Sequence, residues 1–336
     1  MEQKKHNLLW ILLPCALVLT LLIGGVMLWT MAHSDDVPTL PEDIPPTSSG
    51  FVDGITAPVL VPKTDVPVPT TPPAPTSEQT STYTGFVPLP TLAPKVEDPA
   101  QIRALPTKRV SHSYGISKNG QPAQDSINFQ KFFDDKGYAA LTLDTKCTDK
   151  RLYLTFDEGY ENGYTGKILD TLKEKDVPAA FFCTLPYLKT DPELVARMIN
   201  EGHIVGNHSV THPDFSTISR AKMLQELQGF DNHLRTNFGY TAPYFRFPTG
   251  AYNEVALDAV ESLDFTSVFW SVAWSDWDPK TQKGKQAAFD TITGRLHPGA
   301  VILLHAVSSS NTAALGDIID WARAQGYTFV PLSEYK

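Results

Sequence analysis

The stretch LYLTFDEGYENGYTGKILDTLKEK, residues 152–175, decides the fold. Its apolar opening, LYLTF (152–156), is too short for a buried helix and reads as a strand covered on both faces. Its close, GKILDTLKEK, is amphipathic at helical spacing. Further apolar runs follow: AAFFC (179–183), HIVGN (203–207), YFRF (244–247), TSVFW (266–270), AVILLH (300–305) and YTFVPL (327–332). Between them lie PELVARMINEG, SRAKMLQELQGFDNHLRTNFG and TAALGDIIDWARAQG, which again have the helical pattern. Strand, helix, strand, repeated for about seven strands, implies an α/β fold of parallel strands joined by right-handed crossovers, either a barrel or a doubly wound sheet. In both, function sits at the C-terminal ends of the strands.

Five of these strand ends carry ionisable groups. In TFDEGYENGY, Asp157 and Glu158 follow the apolar run. Neighbouring side chains on a strand point to opposite faces, so the two acids can serve different partners. A polar turn or a helix cap is the plain alternative. In GNHSVTHPDF, His208 and His212 have metal-ligand spacing, and Val210, Thr211 and Pro213 disfavour a helix, so the imidazoles would converge from a loop. A pair of structural or exposed histidines is the plain reading of that motif taken alone. In YFRFPTG, Arg246 ends another strand, where a guanidinium can pin a carboxylate and hold it ionised. In VAWSDWD, Asp276 lies between Trp274 and Trp277, which can pack in the core or wall a pocket. In VILLHAVSSSN, His305 directly follows the most apolar strand. Packing alone does not account for five such ends.

In this order, TFDEG, NHSVTH, RFPTG, SDW and LLH, the motifs resemble the five-motif pattern of the polysaccharide deacetylase family, over about residues 105–336. The resemblance implies a distorted (β/α) barrel with fewer than eight complete units. The insert YENGYTGKILD and the upstream SHSYGISKNGQP look most like the δ-lactam-biosynthetic de-N-acetylases of spore-forming bacteria, which act on peptide-free N-acetylmuramic acid in cortex peptidoglycan. Carried over, it implies that Asp157 is the general base, Arg246 orients it and His305 is the general acid, with Asp276 in support. His208, His212 and Glu158 would hold one divalent metal, zinc first, with cobalt, manganese or nickel as alternatives. Trp277, Pro248 and Leu304 would bind substrate, a glycan strand of peptidoglycan. Two positions depart from the family pattern. Glu158 stands where the family's second acid is Asp, so its oxygen is displaced by one methylene. Ala273 stands where much of the family has the Asp that tunes the catalytic His, which leaves open whether any carboxylate acts on His305.

The chain has 336 residues and a net charge of −9, which argues against nucleic acid as a partner, because that binding needs Lys and Arg to neutralise phosphates. Three cysteines are too few for a disulfide scaffold. Cys147 and Cys183 could bridge, or could pack as two small hydrophobic thiols; nothing in their spacing demands a bond. Residues 8–31, LLWILLPCALVLTLLIGGVMLWTM, carry no charge and can cross a hydrocarbon core of about 30 Å as a helix. Lys4 and Lys5 precede the run while Asp35, Asp36, Glu42 and Asp43 follow it, so the expectation is a cytoplasmic N-terminus, a membrane anchor over 1–31 and an extracytoplasmic remainder. Residues 32–104, rich in Pro, Thr and Ser as in VPVPTTPPAPTSEQTST, read as an extended spacer, and 105–336 as the catalytic domain. Two other functions compete: a degenerate barrel that binds glycan without turnover, and a deacetylase of another N- or O-acetylated polysaccharide.

Overall fold

The computed structural model describes residues 86–91 and 104–335. The apolar run 8–31 with the stub before it, and all of 32–104 except residues 86–91 and Ala104, lie outside the described residues. Among those described, no helix is long and apolar enough to cross a membrane.

In chain order the strands are β1 (Val110–Ser111), β2 (Ala140–Leu141), β3 (Arg151–Glu158), β4 (Ala180–Cys183), β5 (Ile204–Asn207), β6 (Tyr244–Phe245), β7 (Ala251–Tyr252), β8 (Thr266–Val268), β9 (Ala300–His305) and β10 (Thr328–Phe329). The helices are α1 (Gln124–Lys136), α2 (Thr165–Lys175), α3 (Leu185–Thr190), α4 (Pro192–Asn200), α5 (Arg220–Phe238), α6 (Glu254–Glu261), α7 (Lys285–Thr293) and α8 (Ser309–Ala324). All strands but β1 and β7, which pair with each other, join one parallel sheet in the order β10-β3-β4-β5-β6-β8-β2, with β9 also on β3. β3 is its axis, buried from Leu152 onward and paired with β9 along Leu152–Asp157 and with β4 along Thr155–Glu158.

The sheet curls into a half-barrel. Past β8 the chain returns to β9 only at the isolated bridge Val272–Ile302, and past β2 Leu143 meets Ala300 antiparallel, so closure rests on single bridges rather than continuous ladders. Seven strands make the curve; β10 adds two residues at the foot of β3. The expected strand over 327–332 shrinks to that pair because Pro331 cannot donate to a ladder. The rings of Phe133 on α1, Phe247, Tyr252 and Phe269 pack together at centroid distances of 5.1–5.9 Å.

Six residues of the expected spacer are docked rather than free-standing. Leu89 N–H donates to the Arg235 carbonyl at 2.9 Å, and Phe86 meets Phe238 edge-on at the end of α5. Gly239 permits this: it has φ +59°, and a Cβ there would lie 2.1 Å from the Val87 carbonyl oxygen. Cys147 and Cys183 are free thiols, Cys183 buried within β4 and Cys147 half-buried with its Sγ donating to the Asp144 carbonyl.

Candidate active site

Asp157 on β3 and His305 on β9 are register partners on adjacent parallel strands, so their side chains stand side by side on one face at the C-terminal end of the sheet. Around them the other strand ends converge. Arg246, fully buried just past β6, donates Nη1 to Asp157 Oδ1 at 2.7 Å, Nη2 to Thr155 Oγ1 at 2.8 Å and Nε to the Val268 carbonyl at 3.0 Å. Its guanidinium also lies over the Phe182 ring, 4.1 Å from the centroid. Every arm of the fork is therefore fixed, and one arm aims the carboxylate. Burial alone would raise the Asp157 carboxyl, but the charges of Arg246, His208 and His305 outweigh it and hold the group below the usual carboxylate range.

The other oxygen of Asp157 faces His208, whose Nε2 lies 3.6 Å from Oδ2. His208 Nδ1 lies 2.8 Å from the Arg246 carbonyl, which can only accept, so that nitrogen carries the proton and the Nε2 lone pair is directed at the cleft. Burial lowers the His208 pKa to about 4, so the ring is neutral and free to coordinate. The His212 ring lies 4.8 Å from it, nearly perpendicular, and burial lowers its pKa too. The connecting loop is strained: Ser209 has φ 71° and His212 φ 56°, left-handed values that non-glycine residues rarely adopt. Glu226 holds it there. Its buried carboxylate on α5 accepts from Val210 N–H, Thr211 N–H and Thr211 Oγ1, while Ser209 Oγ accepts from His212 N–H.

His305 is fixed from behind. Asp276, buried, accepts from His305 Nδ1 at 2.7 Å and from its backbone N–H at 2.9 Å. Asn311 in the first turn of α8 donates Nδ2 to the same carboxylate and is itself oriented by the Trp274 indole N–H at 2.9 Å. Burial would lower the His305 pKa, but the hydrogen bond and charge of Asp276, with the charge of Asp157, raise it above the usual histidine value. The carboxylate left unassigned by Ala273 is thus supplied by Asp276. Trp277 stands 58% exposed at the rim with its ring 6.3 Å from that of His305.

Two of the expected site residues, Glu158 and Leu304, are turned away from this cleft by strand alternation. Glu158 points across β3 from Asp157, is fully buried, and takes a long 3.4 Å hydrogen bond from Thr165 Oγ1 at the start of α2; its Oε1 has no partner among the described residues. Burial, reinforced by the charge of Glu161, raises its pKa well above the usual range. Leu304 is buried and alternates away from His305; Leu303 is the leucine that shares the face of His305. Pro248 is buried at the start of the turn Pro248–Gly250. Among the described residues no three His, Cys, Asp or Glu side chains form a ready metal cluster. The two imidazoles nevertheless fit a metal: both are neutral, and His208 has the Nδ1-to-carbonyl support typical of metal-bound histidine.

Thr155, Glu226 and Asn311 act through residues that do the chemistry and were not singled out in the sequence; Trp274 was, as a core or pocket-wall residue, and its indole N–H orients Asn311. Of these only Asn311 left a signal, a polar side chain three residues after a helix-capping Ser308 and just beyond the catalytic strand.

The chain belongs to the polysaccharide deacetylase family, a family of carbohydrate hydrolases, and its residues 144–268 match that family directly. It is 40% identical over 237 residues to the peptidoglycan-N-acetylmuramic acid deacetylase PdaA of Bacillus subtilis, covering 70% of this chain and 89% of that one. It is 35% identical over 239 residues to the peptidoglycan-N-acetylglucosamine deacetylase of Bacillus cereus, covering 69% of this chain and 83% of that one. The solved structure of Bacillus subtilis PdaA, a family 4 carbohydrate esterase, superposes with a TM-score of 0.65 at 39% identity, covering 69% of this chain and 98% of that one.

Proposed function

We propose that this chain hydrolyses the N-acetyl group of muramic acid residues in peptidoglycan, with Asp157 as general base and His305 as general acid. The observation that carries the reading is the register pairing of Asp157 with His305, a carboxyl whose pKa Arg246 lowers beside an imidazole whose pKa Asp276 raises. Two titratable neighbours whose surroundings push them toward opposite proton states are the arrangement a hydrolysis with an incoming and a departing proton needs. Water attacks the acetamide carbon as Asp157 takes its proton. The carbon–nitrogen bond breaks as His305 delivers a proton to the nitrogen, which leaves poorly as an anion. Acetate and the free sugar amine are the products. Trp277 lies at the rim, where a sugar ring can stack.

His208 and His212 would hold the divalent ion on which family members in general depend, zinc being the first choice for imidazole donors. Bound there, it supplies Lewis acidity toward the acetamide carbonyl. Glu158 stays out of the donor set in this reading. The names of two relatives support peptidoglycan as the substrate, and the likeness to PdaA favours muramic acid over glucosamine. The test is mass analysis of peptide-stripped and intact peptidoglycan after incubation with the full chain. Loss of acetyl from muramic residues of the stripped glycan is expected; loss confined to glucosamine, or glycan binding without acetate release, sinks the reading.

The uncharged run 8–31 with lysines before and acids after it supports anchoring in the cell membrane with the catalytic domain outside, facing the wall. Protease added to protoplasts should then remove the domain, and survival until lysis would reverse the orientation.

A further inference from the structure

A second cavity, of about 460 Å³, opens beside the loop residues Trp274 and Ser275 that lead into Asp276. Tyr114, Ile116, Trp274, Ser275, Lys283 and Arg295 are among its walls, and no acidic side chain is. Lys283 and Arg295 face it without a carboxylate partner among the described residues; Arg295 Nη1 donates to the Ala273 carbonyl, which fixes the guanidinium but does not neutralise it. On a chain of net charge −9, a cavity whose charged lining residues are two cations is a local reversal of sign that draws an anion. The rest of the lining suits a sugar: the indole of Trp274, the 60% exposed side chain of Ile116, and hydroxyls of Tyr114 and Ser275. The volume lies within the range that encloses a small ligand.

The cavity is tied to the catalytic centre. Ser275 directly precedes Asp276, the indole N–H of Trp274 orients the Asn311 that holds Asp276, and Arg295 clamps the carbonyl of Ala273 in the same segment. The Tyr114 hydroxyl, whose pKa burial raises, feels the charges of both Arg295 and Asp276. SHSYGISKNGQP, which has no part in the chemistry above, supplies one wall.

We propose that this cavity is a carboxylate-reading subsite, in which Lys283 and Arg295 bind the lactyl carboxylate of a peptide-free muramic acid residue on the glycan strand. The assignment rests on the muramic acid reading above and names where that reading is enforced. Neutral glycans of glucosamine alone have no charge to offer here. In muramic residues that still carry peptide the lactyl carboxyl is an amide, so they lack the anion at this point as well.

The experiment measures binding to the full chain carrying Asp157→Asn, which suppresses turnover. Three probes are compared: peptide-free peptidoglycan strands, the same strands with carboxyl groups reduced to alcohols, and peptide-bearing strands. Adding Lys283→Ala or Arg295→Gln should each weaken binding of the peptide-free strands about tenfold or more, the scale of one charge-assisted hydrogen bond. The reduced strands should bind the parent that weakly and be indifferent to both changes. Gln at 295 keeps a donor for the Ala273 carbonyl; should it still disturb the segment, the exposed Lys283 carries the test alone. Equal binding of native and reduced strands by the parent, or undiminished binding by Lys283→Ala, overturns the subsite. Weakening confined to peptide-bearing strands overturns the lactyl assignment. Acetyl loss from glucosamine only would sink the proposed substrate while leaving this binding contrast to be read independently.

Discussion

Asp276→Asn isolates what the carboxylate behind His305 contributes, because the change keeps shape and removes charge. In the native site one oxygen of Asp276 accepts from His305 N–H and Asn311 Nδ2, and the other accepts from His305 Nδ1. An asparagine must keep its oxygen on the doubly donating side and so turns its NH₂ toward Nδ1. A protonated imidazole would then face a donor with a donor, so His305 must give up its Nδ1 proton. Two effects act in one direction: the loss of a buried charge 2.7 Å away, and the new opposition. Burial, which lowers the His305 pKa, is left unopposed by Asp276. A hydrogen bond to a charged group contributes about 1.5–3 kcal/mol, which corresponds to about a tenfold to hundredfold fall in the protonated fraction above its pKa. The alkaline limb of the activity profile should therefore move toward acid, with a loss of that size on the alkaline side and a smaller one on the acid side. Acetate release followed across pH, beside a thermal melt to exclude unfolding, reads this out. An alkaline limb that stays in place, with activity reduced uniformly, would refute a role for Asp276 in holding the proton and leave it only the task of orientation.

Arg246→Lys should abolish turnover and lower the melting temperature, since one ammonium cannot serve Asp157, Thr155 and the Val268 carbonyl together; breaking a buried pair costs about 3–5 kcal/mol, and an unchanged melt would count against it. Glu158→Gln should stabilise the protein at neutral pH and leave metal occupancy under limiting metal unchanged. Because the folded-state pKa of Glu158 is raised, its contribution to stability is greatest at acid pH and is lost as pH climbs from the unfolded value toward the folded one, so the stabilisation should vanish in acid; reduced metal occupancy would restore Glu158 to the donor set. Gly206→Ala places a Cβ 2.6 Å from Phe182 Cδ1, the ring beneath Arg246, so it should cost about 1–3 kcal/mol and also reduce turnover, both measurable by denaturant melts and acetate release.

Most strands that build the sheet were legible because parallel strands buried on both faces read as unbroken apolar runs; β2, two residues long, was not among the runs read as strands. LYLTF and AVILLH sit inside β3 and β9, the two strands that carry the proton-transfer pair. The helices α1, α3, α6 and α7 were not read from the sequence, α1 and α7 for a related reason. QDSINFQKFFDDK and KQAAFDTIT, the sequences of α1 and α7, mix polar and apolar residues without a clean stripe, and their burial comes from packing on the sheet rather than from a local pattern. Leu304 was an error of phase: in a run as apolar as AVILLH nothing local says which alternate residues face the cleft, and only the position of His305 within β9 does. Glu226 illustrates a different limit. It lies in the middle of a helix and looks like a solvent-exposed charge, yet it closes on a loop 15 residues upstream, a contact that only the tertiary fold creates.

The two departures from the family pattern lead to opposite outcomes, and strand geometry explains both. At residue 273 a missing carboxylate is compensated because the chain from Val272, bridged to β9 at Ile302, delivers Asp276 against both the backbone and the ring of His305. The carboxylate reaches the ring from three residues further on, and Asn311 with Trp274 braces it there. At residue 158 the added methylene has no such remedy. Glu158 is still inside β3, in register with Cys183, so alternation turns it away from Asp157 and into the layer beneath α2, where a longer side chain only buries more deeply. The base and acid half of the site is therefore complete in side chains held by at least two contacts each, while the metal half rests on His208 and His212 beside Asp157. A site so divided should lose metal more readily than it loses the geometry of its proton transfers, since the ligand loop is clamped by Glu226 and Asn207 rather than by the ion.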